Sequence, residues 1–256
     1  MSFLGMTSYC RQWILNYAEI EAPLAAIAHG KGLNANDKVE WVTDADKAFT
    51  DLKLALQSPP TLGLPDCSRP FTQTVDGEGG YMTSVLLQDH GGRNRPVAYF
   101  SSKLDSVAAG LPACLRAVAA AEKEVMASHD IVGYSDLTLL VPHAVSLILL
   151  EQKTSHLSAA RWLRYNTILL ELPNITVKRC TVLNPATLLP TADDGEAHNC
   201  VAIINEVCSP RSDLQEVPLQ NAGLELFVDG SASRDPGTGK NQTGKRQSRR
   251  YCEDSS

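Results

Sequence analysis

The sequence predicts an α/β fold, a mixed β-sheet flanked by helices and preceded by a small helical unit. Glycine-punctuated stretches of alternating residues read as strands, and longer stretches with apolar residues at helical spacing read as helices. Their order in the middle of the chain is three strands, a helix, a strand, helices and a strand, which suits a sheet with helices packed on its faces.

Taken in order, Trp13, Ile14, Tyr17, Ile20, Leu24 and Ile27 recur at helical spacing between Thr7 and Ala28, so two short helices, or one broken at Pro23, are expected. A further helix is expected from Thr43 to Gln57, with Thr43 as N-cap, Asp44 and Asp46 in the first turn, and Phe49, Leu52 and Leu56 as the buried stripe. Pro59-Pro60 stops it. "TLGLPDCSRP" forms a turn-rich joint, after which "FTQTVD", "YMTSVLLQ" and "RPVAYFSSKL" read as an antiparallel meander turning at Gly77–Gly80 and at Gly91-Gly92. Leu111 to Ser128 is predicted helical, with Leu111, Leu115, Val118 and Val125 on one face. "LTLLVP" is a buried strand, Ala144–Glu151 and Ser158–Leu172 are helical, and "ITVKRC" is a last strand. "CVAIINEVC" is a short helix-like patch, and "SPRSDLQEVPLQNAG" an exposed linker. Past Gly237 almost nothing is apolar, so "GTGKNQTGKRQSRRYCEDSS" is expected to lack ordered structure.

The composition of the 256 residues, 43% apolar and 20% charged, is that of an ordinary globular protein, long enough for a sizeable core. A net charge of −6 argues against a strongly electrostatic, free-standing nucleic-acid binder, since phosphate neutralisation needs clustered Lys and Arg, and leaves room only for weak or partner-assisted contact. Seven scattered cysteines, without a C-x-x-C pair, favour a reducing compartment over a disulfide scaffold. His198 and Cys200 could join Cys208 around zinc, but no fourth ligand follows at usable spacing, and incidental loop thiols are the better reading. No basic leader with an apolar core, and no run of about 18 apolar residues, is present. The expected location is intracellular, cytoplasmic or nuclear, with no membrane partner.

Two acids have the look of metal ligands. Asp229 is delivered by the apolar stretch Leu224–Val228 into a Gly-Ser turn, where a hard cation such as magnesium would find an oxygen ligand. Asp76 ends the first strand of the meander in the same way, although an Asp before glycine more often bonds the next backbone N–H groups. Neither acid alone makes a two-metal hydrolytic site. In "RWLRY", Arg161 and Arg164 could serve a nucleic-acid backbone, while Trp162 and Tyr165 at i,i+3 spacing read as core contacts. "GKNQTGKR" matches a phosphate loop only superficially, because Arg246 stands where a magnesium-binding Ser or Thr belongs. His143 reads as a loop histidine, and Lys245, Arg246, Arg249 and Arg250 as incidental charge in a polar tail.

Several long stretches carry a family resemblance. "FLGMTSYCRQWILNYAEIEAPL", "LGLPD", "RPVAYFSSKLDSVAAGLPACLRAVAA", "VPHAV", "LNPATLLP", "HNC" and "LFVDGSASRD" together resemble the Pol polyprotein of gammaretrovirus-like endogenous retroviruses, from Phe3 to about Gly244. The resemblance implies a reverse-transcriptase thumb remnant over residues 1–60, an RNase H-like connection domain over 66–190, a linker over 191–222, and a truncated RNase H start with tail over 223–256. It implies a linking, duplex-supporting role on RNA–DNA or DNA through backbone contacts, and contact with other Pol chains. The palm Y-x-D-D motif is absent from the sequence, so polymerisation by this polypeptide alone is not expected. RNase H chemistry needs acids on the first strand, the first helix and the end of the fourth strand. Asp76 fits the first, but the helix position holds Cys114 and Leu115, with Glu122 and Glu124 further on, and the strand end holds Pro142 and His143. Asp229 would be a ligand in an intact RNase H domain, yet "KRQSRRYCEDSS" departs from the family there, as a frameshift, mis-splice or premature stop would produce. The expectation is a non-catalytic fragment with no cofactor; the rival is a magnesium-dependent nuclease acting on RNA–DNA hybrids.

Overall fold

The computed structural model describes residues 3–28, 41–78, 80–151, 157–180 and 199–207, together with the backbone of 233–234 and 241–242. The chain divides into two units, Met1–Cys208 and Ser209–Ser256.

The first unit begins with α1 (Phe3–Tyr9), a 3-10 turn (Arg11–Trp13), α2 (Tyr17–Ala28) and α3 (Thr43–Gln57). The break falls before α2 and not at Pro23, which lies inside that helix. Asn16 takes φ 55°, the left-handed region that Asn tolerates better than most side chains, and this turns the chain before α2 starts. Thr43 is the first helical residue of α3, and Val42 holds the cap position without a side-chain bond. Ile14, Tyr17, Leu24, Ala45, Ala48 and Leu52 bury together, with the Phe3 and Phe49 rings 4.5 Å apart at their edge. The Thr7 and Tyr17 hydroxyls bond across this cluster at 3.1 Å.

Five strands follow: β1 (Phe71–Glu78), β2 (Tyr81–Asp89), β3 (Asn94–Lys103), β4 (Leu137–Val141) and β5 (Ile175–Arg179). Their order in the sheet is β3-β2-β1-β4-β5. The meander is antiparallel, whereas β4 pairs parallel to both β1 and β5. Gly91 and Gly92 both take positive φ in the β2–β3 turn, where the Gly92 N–H donates to Asp89 Oδ1 at 2.6 Å.

Between β3 and β4 run α4 (Ser106–Ala109), which the periodicity did not reveal, and α5 (Ala113–Val132). α5 lies across the sheet and buries Leu115, Val118, Ala119, Ala120, Ala121 and Val125. α6 (Val145–Leu150) and α7 (Ala159–Asn166), extended by a π-turn over Thr167–Glu171, complete the layer. The patch at Cys200 becomes α8 (Cys200–Val207), capped by Asn199, whose Oδ1 accepts from the Val201 and Ala202 N–H groups at 3.1 Å.

The first helices dock on the meander. The Ala18 N–H donates to Ser101 Oγ at 3.2 Å, Thr83 and Asn16 side chains bond at 3.0 Å, and Leu15, like Tyr99, packs against Val85 and Leu87. In the second unit, β6 (Ser233–Arg234) pairs antiparallel with β7 (Asn241–Gln242), so part of the polar tail forms a backbone ladder. Such a ladder needs no apolar side chains.

A polar seam fixes α5 on β1. Gln73 Nε2 donates to Ser84 Oγ at 2.8 Å and to the Glu124 carbonyl at 3.0 Å, and Ser128 Oγ donates to Gln73 Oε1 at 2.8 Å. With both amide hydrogens donated and its oxygen accepting, a fully buried Gln selects one helix position and penalises others. The Glu124 carboxyl beside it is fully buried, and desolvation pushes it from 4.5 to about 8 despite a 3.4 Å bond from Ser102 Oγ and the positive charge of Lys123. Below pH 4.5 both folded and unfolded chains hold this proton. Between 4.5 and about 8 the unfolded chain loses it first, so stability falls as pH rises, by up to about 1.4 kcal/mol per pH unit. Glu124→Gln is therefore expected to remove this slope and raise Tm at pH 8 and above. Thermal melts across pH 4–9 check it, and a variant with the wild-type pH profile contradicts it.

Candidate functional site

β1 and β4 pair in parallel, so Asp76, near the end of β1, and Pro142 and His143, just past β4, lie toward the same end of the sheet. Asp76, two residues from the end of β1, is half-buried, and its Oδ1 accepts the N–H of Gly77 at 2.8 Å. This is the self-bonding arrangement of an Asp before a glycine. Glu122 and Glu124, further along α5, are committed elsewhere: Glu122 to Arg164, and Glu124 to the core beneath Ser102. Among the described residues no three carboxylates converge, so the donors there do not fit a magnesium pair, which needs several carboxylate oxygens. Asp229, with the whole "LELFVDGSASRD" stretch apart from the backbone of Ser233–Arg234, lies outside the described residues.

The helix and fourth-strand positions do come together, with different chemistry. Cys114, the second residue of α5, His143, in the β4–α6 loop, and Cys200, the first residue of α8, bring their sulfur and nitrogen atoms within 4.8 Å of one another. Cys114 and Cys200 are 2% and 1% exposed. His143 Nδ1 stands 3.8 Å from Cys200 Sγ, and that sulfur accepts the Ala144 N–H at 3.5 Å. Burial pushes the Cys114 thiol up to about 12, reinforced by the neighbouring Cys200 thiol and opposed by the charge of Arg179. Sequence spacing pairs Cys200 with His198 and Cys208, both outside the described residues, and gives His143 no partner. No spacing rule reveals this trio, because its members come from three elements that only the fold brings together.

Arg161 and Arg164 sit on α7 in ion pairs. The Arg161 guanidinium grips Asp105 at both ends, with NH2 to Oδ1 at 2.7 Å and NH1 to Oδ2 at 3.0 Å, and NH1 also donates to the Tyr165 hydroxyl at 3.3 Å. Asp105 in turn caps α4 by accepting the Val107 and Ala108 N–H groups. The arginine and these amides hold its carboxyl down at about 2. Arg164 donates to Glu122 Oε1 through Nε at 2.8 Å and through NH2 at 2.6 Å; its own side chain is 61% exposed and that of Glu122 only 6%. Tyr165 is buried and Trp162 packs on the core, as their spacing suggested.

Comparison with known proteins follows from this geometry. The sheet order, with α5 across it, defines an RNase H-like domain. Residues 41–139 match the family model for the RNase H-like domain found in reverse transcriptase. The chain is a retroviral-like Pol fragment. It is 40% identical over 230 residues, 90% of its length, to the Gag-Pol polyprotein of feline leukemia virus. It is likewise 40% identical to the Gag-Pol polyprotein of avian reticuloendotheliosis virus over 90% of the chain, and to the Pol polyprotein of feline endogenous virus ECE1 over 92%. The chain spans only 13%, 20% and 22% of those three relatives. Among solved structures it resembles a foamy viral protease-reverse transcriptase dRH in complex with double-stranded DNA, with a TM-score of 0.62 at 18% identity, covering 70% of this chain and 31% of that one. A foamy viral protease-reverse transcriptase with RNA/DNA hybrid gives 0.60 at 18% identity, covering 92% and 30%. At these identities the structures establish the shared fold.

The two arginine pairs differ in what their loss exposes. Arg164→Gln strands the buried Glu122 carboxylate and is expected to cost about 2–3 kcal/mol, most of it restored by adding Glu122→Gln. Urea unfolding of the single and double variants checks the coupling, and strictly additive losses contradict it.

Proposed function

We propose that this chain is a non-catalytic scaffold segment of a retroviral-type Pol protein, whose RNase H-like domain links polymerase to nuclease and supports the primer-template duplex. The observation that carries this reading is the chemistry of the expected acid positions: Asp76 bonds its own turn, and the helix and strand-end positions offer a thiol, Cys114, and an imidazole, His143, in place of carboxylates. Hydrolysis by two magnesium ions requires the oxygen ligands that these positions lack. The structural neighbours, as complexes with double-stranded DNA and with RNA/DNA hybrid, support a duplex as the partner. The domain division belongs to the same reading: thumb remnant over 1–60, connection domain over 66–190, linker over 191–222 and RNase H start over 223–256, with α8, inside the linker span, packing into the core of the first unit.

Duplex contact on this reading is weak and made to phosphates, without sequence preference. Arg161 and Arg164 are the proposed contact residues, working against the overall net charge of −6 and against their own carboxylate partners. Arg164 is the more exposed of the two, so it carries the larger share.

Two measurements on the purified full chain test the proposal. A labelled RNA–DNA hybrid incubated with magnesium or manganese should remain uncut, while cleavage abolished by Asp76→Asn or Asp229→Asn overturns the scaffold reading. Hybrid and DNA duplexes of unrelated sequence should bind equally, with Kd of roughly 10⁻⁴–10⁻⁶ M and marked salt dependence. Arg164→Gln should weaken both and lower the salt slope by about 1. No binding at low salt contradicts the proposed partner.

A further inference from the structure

We propose that Cys114, His143 and Cys200 form a zinc site that clasps the start of α5, the β4–α6 loop and the start of α8. The three donor atoms, Cys114 Sγ, a His143 ring nitrogen and Cys200 Sγ, lie within 4.8 Å of one another. Tetrahedral zinc with its usual bond lengths of about 2.3 Å to sulfur and 2.0–2.1 Å to nitrogen sets ligand atoms about 3.6–3.8 Å apart. The separation of His143 Nδ1 from Cys200 Sγ, 3.8 Å, lies close to that spacing.

The surroundings favour thiolates once a cation is present. Cys114 and Cys200 stand at the first turns of α5 and α8, where the helix dipoles favour negative charge. The Ala144 N–H points at Cys200 Sγ, the kind of outer contact that supports a metal-bound sulfur. Thiols must give up their protons to bind the metal, so binding releases protons and tightens with rising pH. The Arg179 charge acts on Cys114, yet two thiolates balance a divalent cation, so the arginine faces a cluster of no net charge. Thiolate sulfur and imidazole nitrogen select zinc over magnesium or calcium. Three protein ligands leave the fourth tetrahedral position to water.

The clasp has a structural consequence. Cys200 and His143 are separated by 57 residues, and α8 is the last element of the first unit. Coordination would fix the exit from the RNase H-like sheet independently of whether the chain engages a duplex.

The test uses the full chain, stripped of metal with a chelator under reductant and titrated with cobalt(II) as a spectroscopic stand-in for zinc. Wild-type protein should take up one equivalent with intense tetrahedral bands and sulfur-to-cobalt charge transfer, displaced by zinc, and zinc should raise Tm. Cys114→Ser and Cys200→Ser should each diminish the charge-transfer band. Either should weaken zinc by more than the roughly 100-fold that loss of an outer-shell partner costs. His143→Gln should weaken zinc while leaving the sulfur band, and Cys10→Ser and Cys67→Ser should change nothing. A wild-type chain without the cobalt spectrum overturns the proposal, whatever the variants do to folding. So does a spectrum indifferent to both Cys114→Ser and Cys200→Ser, or a Cys114–Cys200 disulfide that yields no metal uptake after reduction.

Discussion

The packing of α5 against β1 is the constraint on which the rest of the domain depends. β1 is the central strand, antiparallel to β2 and parallel to β4, so α5 meets the one place where the meander and the parallel pair join. The helix presents Ala119, Ala120 and Ala121 in its middle, small enough for close approach, and Leu115, Val118 and Val125 on either side. Apolar burial alone would leave the helix free to slide or rotate. Gln73 removes that freedom, because its amide is satisfied only when Ser84, Ser128 and the Glu124 carbonyl are all in place. Once α5 is set, its first turn carries Cys114 to the carboxyl end of β4, and its third turn places Glu122 under α7.

Carboxylates in this domain serve structure. Asp105 caps α4 and grips Arg161, Glu122 anchors Arg164, Glu124 is sealed in the core, and Asp76 closes on Gly77. An RNase H-like sheet can keep its topology with its acids spent this way, since the fold requires the core and the site requires only a few positions at one end. Its relatives make the chain a retroviral-like Pol fragment and the structural neighbours share its fold, while the side chains at that end carry the proposed scaffold reading. The same end offers two buried thiols and an imidazole, a donor set suited to a softer cation than the one that drives phosphodiester hydrolysis.

Much of the fold was legible because its elements are strongly patterned. The bounds of α3 follow from Thr43, the acidic first turn and Pro59-Pro60, and the meander follows from alternation cut by glycines. α4 escaped because four residues are too few for a period, and its capping signal, Asp105, looks like an ordinary loop acid. The helix break was placed at Pro23 on the general rule, whereas Asn16 turns the chain and Pro23 is tolerated inside α2. The site was legible only in the negative, as missing acids at Cys114, Pro142 and His143. That Cys114 and His143 meet Cys200 depends on the parallel β1–β4 pairing and on where α8 docks, and neither leaves a mark in local sequence.

The central claim is that the shared end of β1 and β4 has lost its affinity for hard catalytic cations. Nuclear magnetic resonance spectra of the isotopically labelled full chain, titrated with manganese(II), address it most directly, because a bound paramagnetic ion bleaches nearby amide signals. The account predicts that Asp76 and Gly77 lose intensity no earlier than the exposed surface acid Asp130. Selective bleaching of Asp76, the first turn of α5 and His143 at substoichiometric manganese would contradict it and restore a hydrolytic site to this end of the sheet.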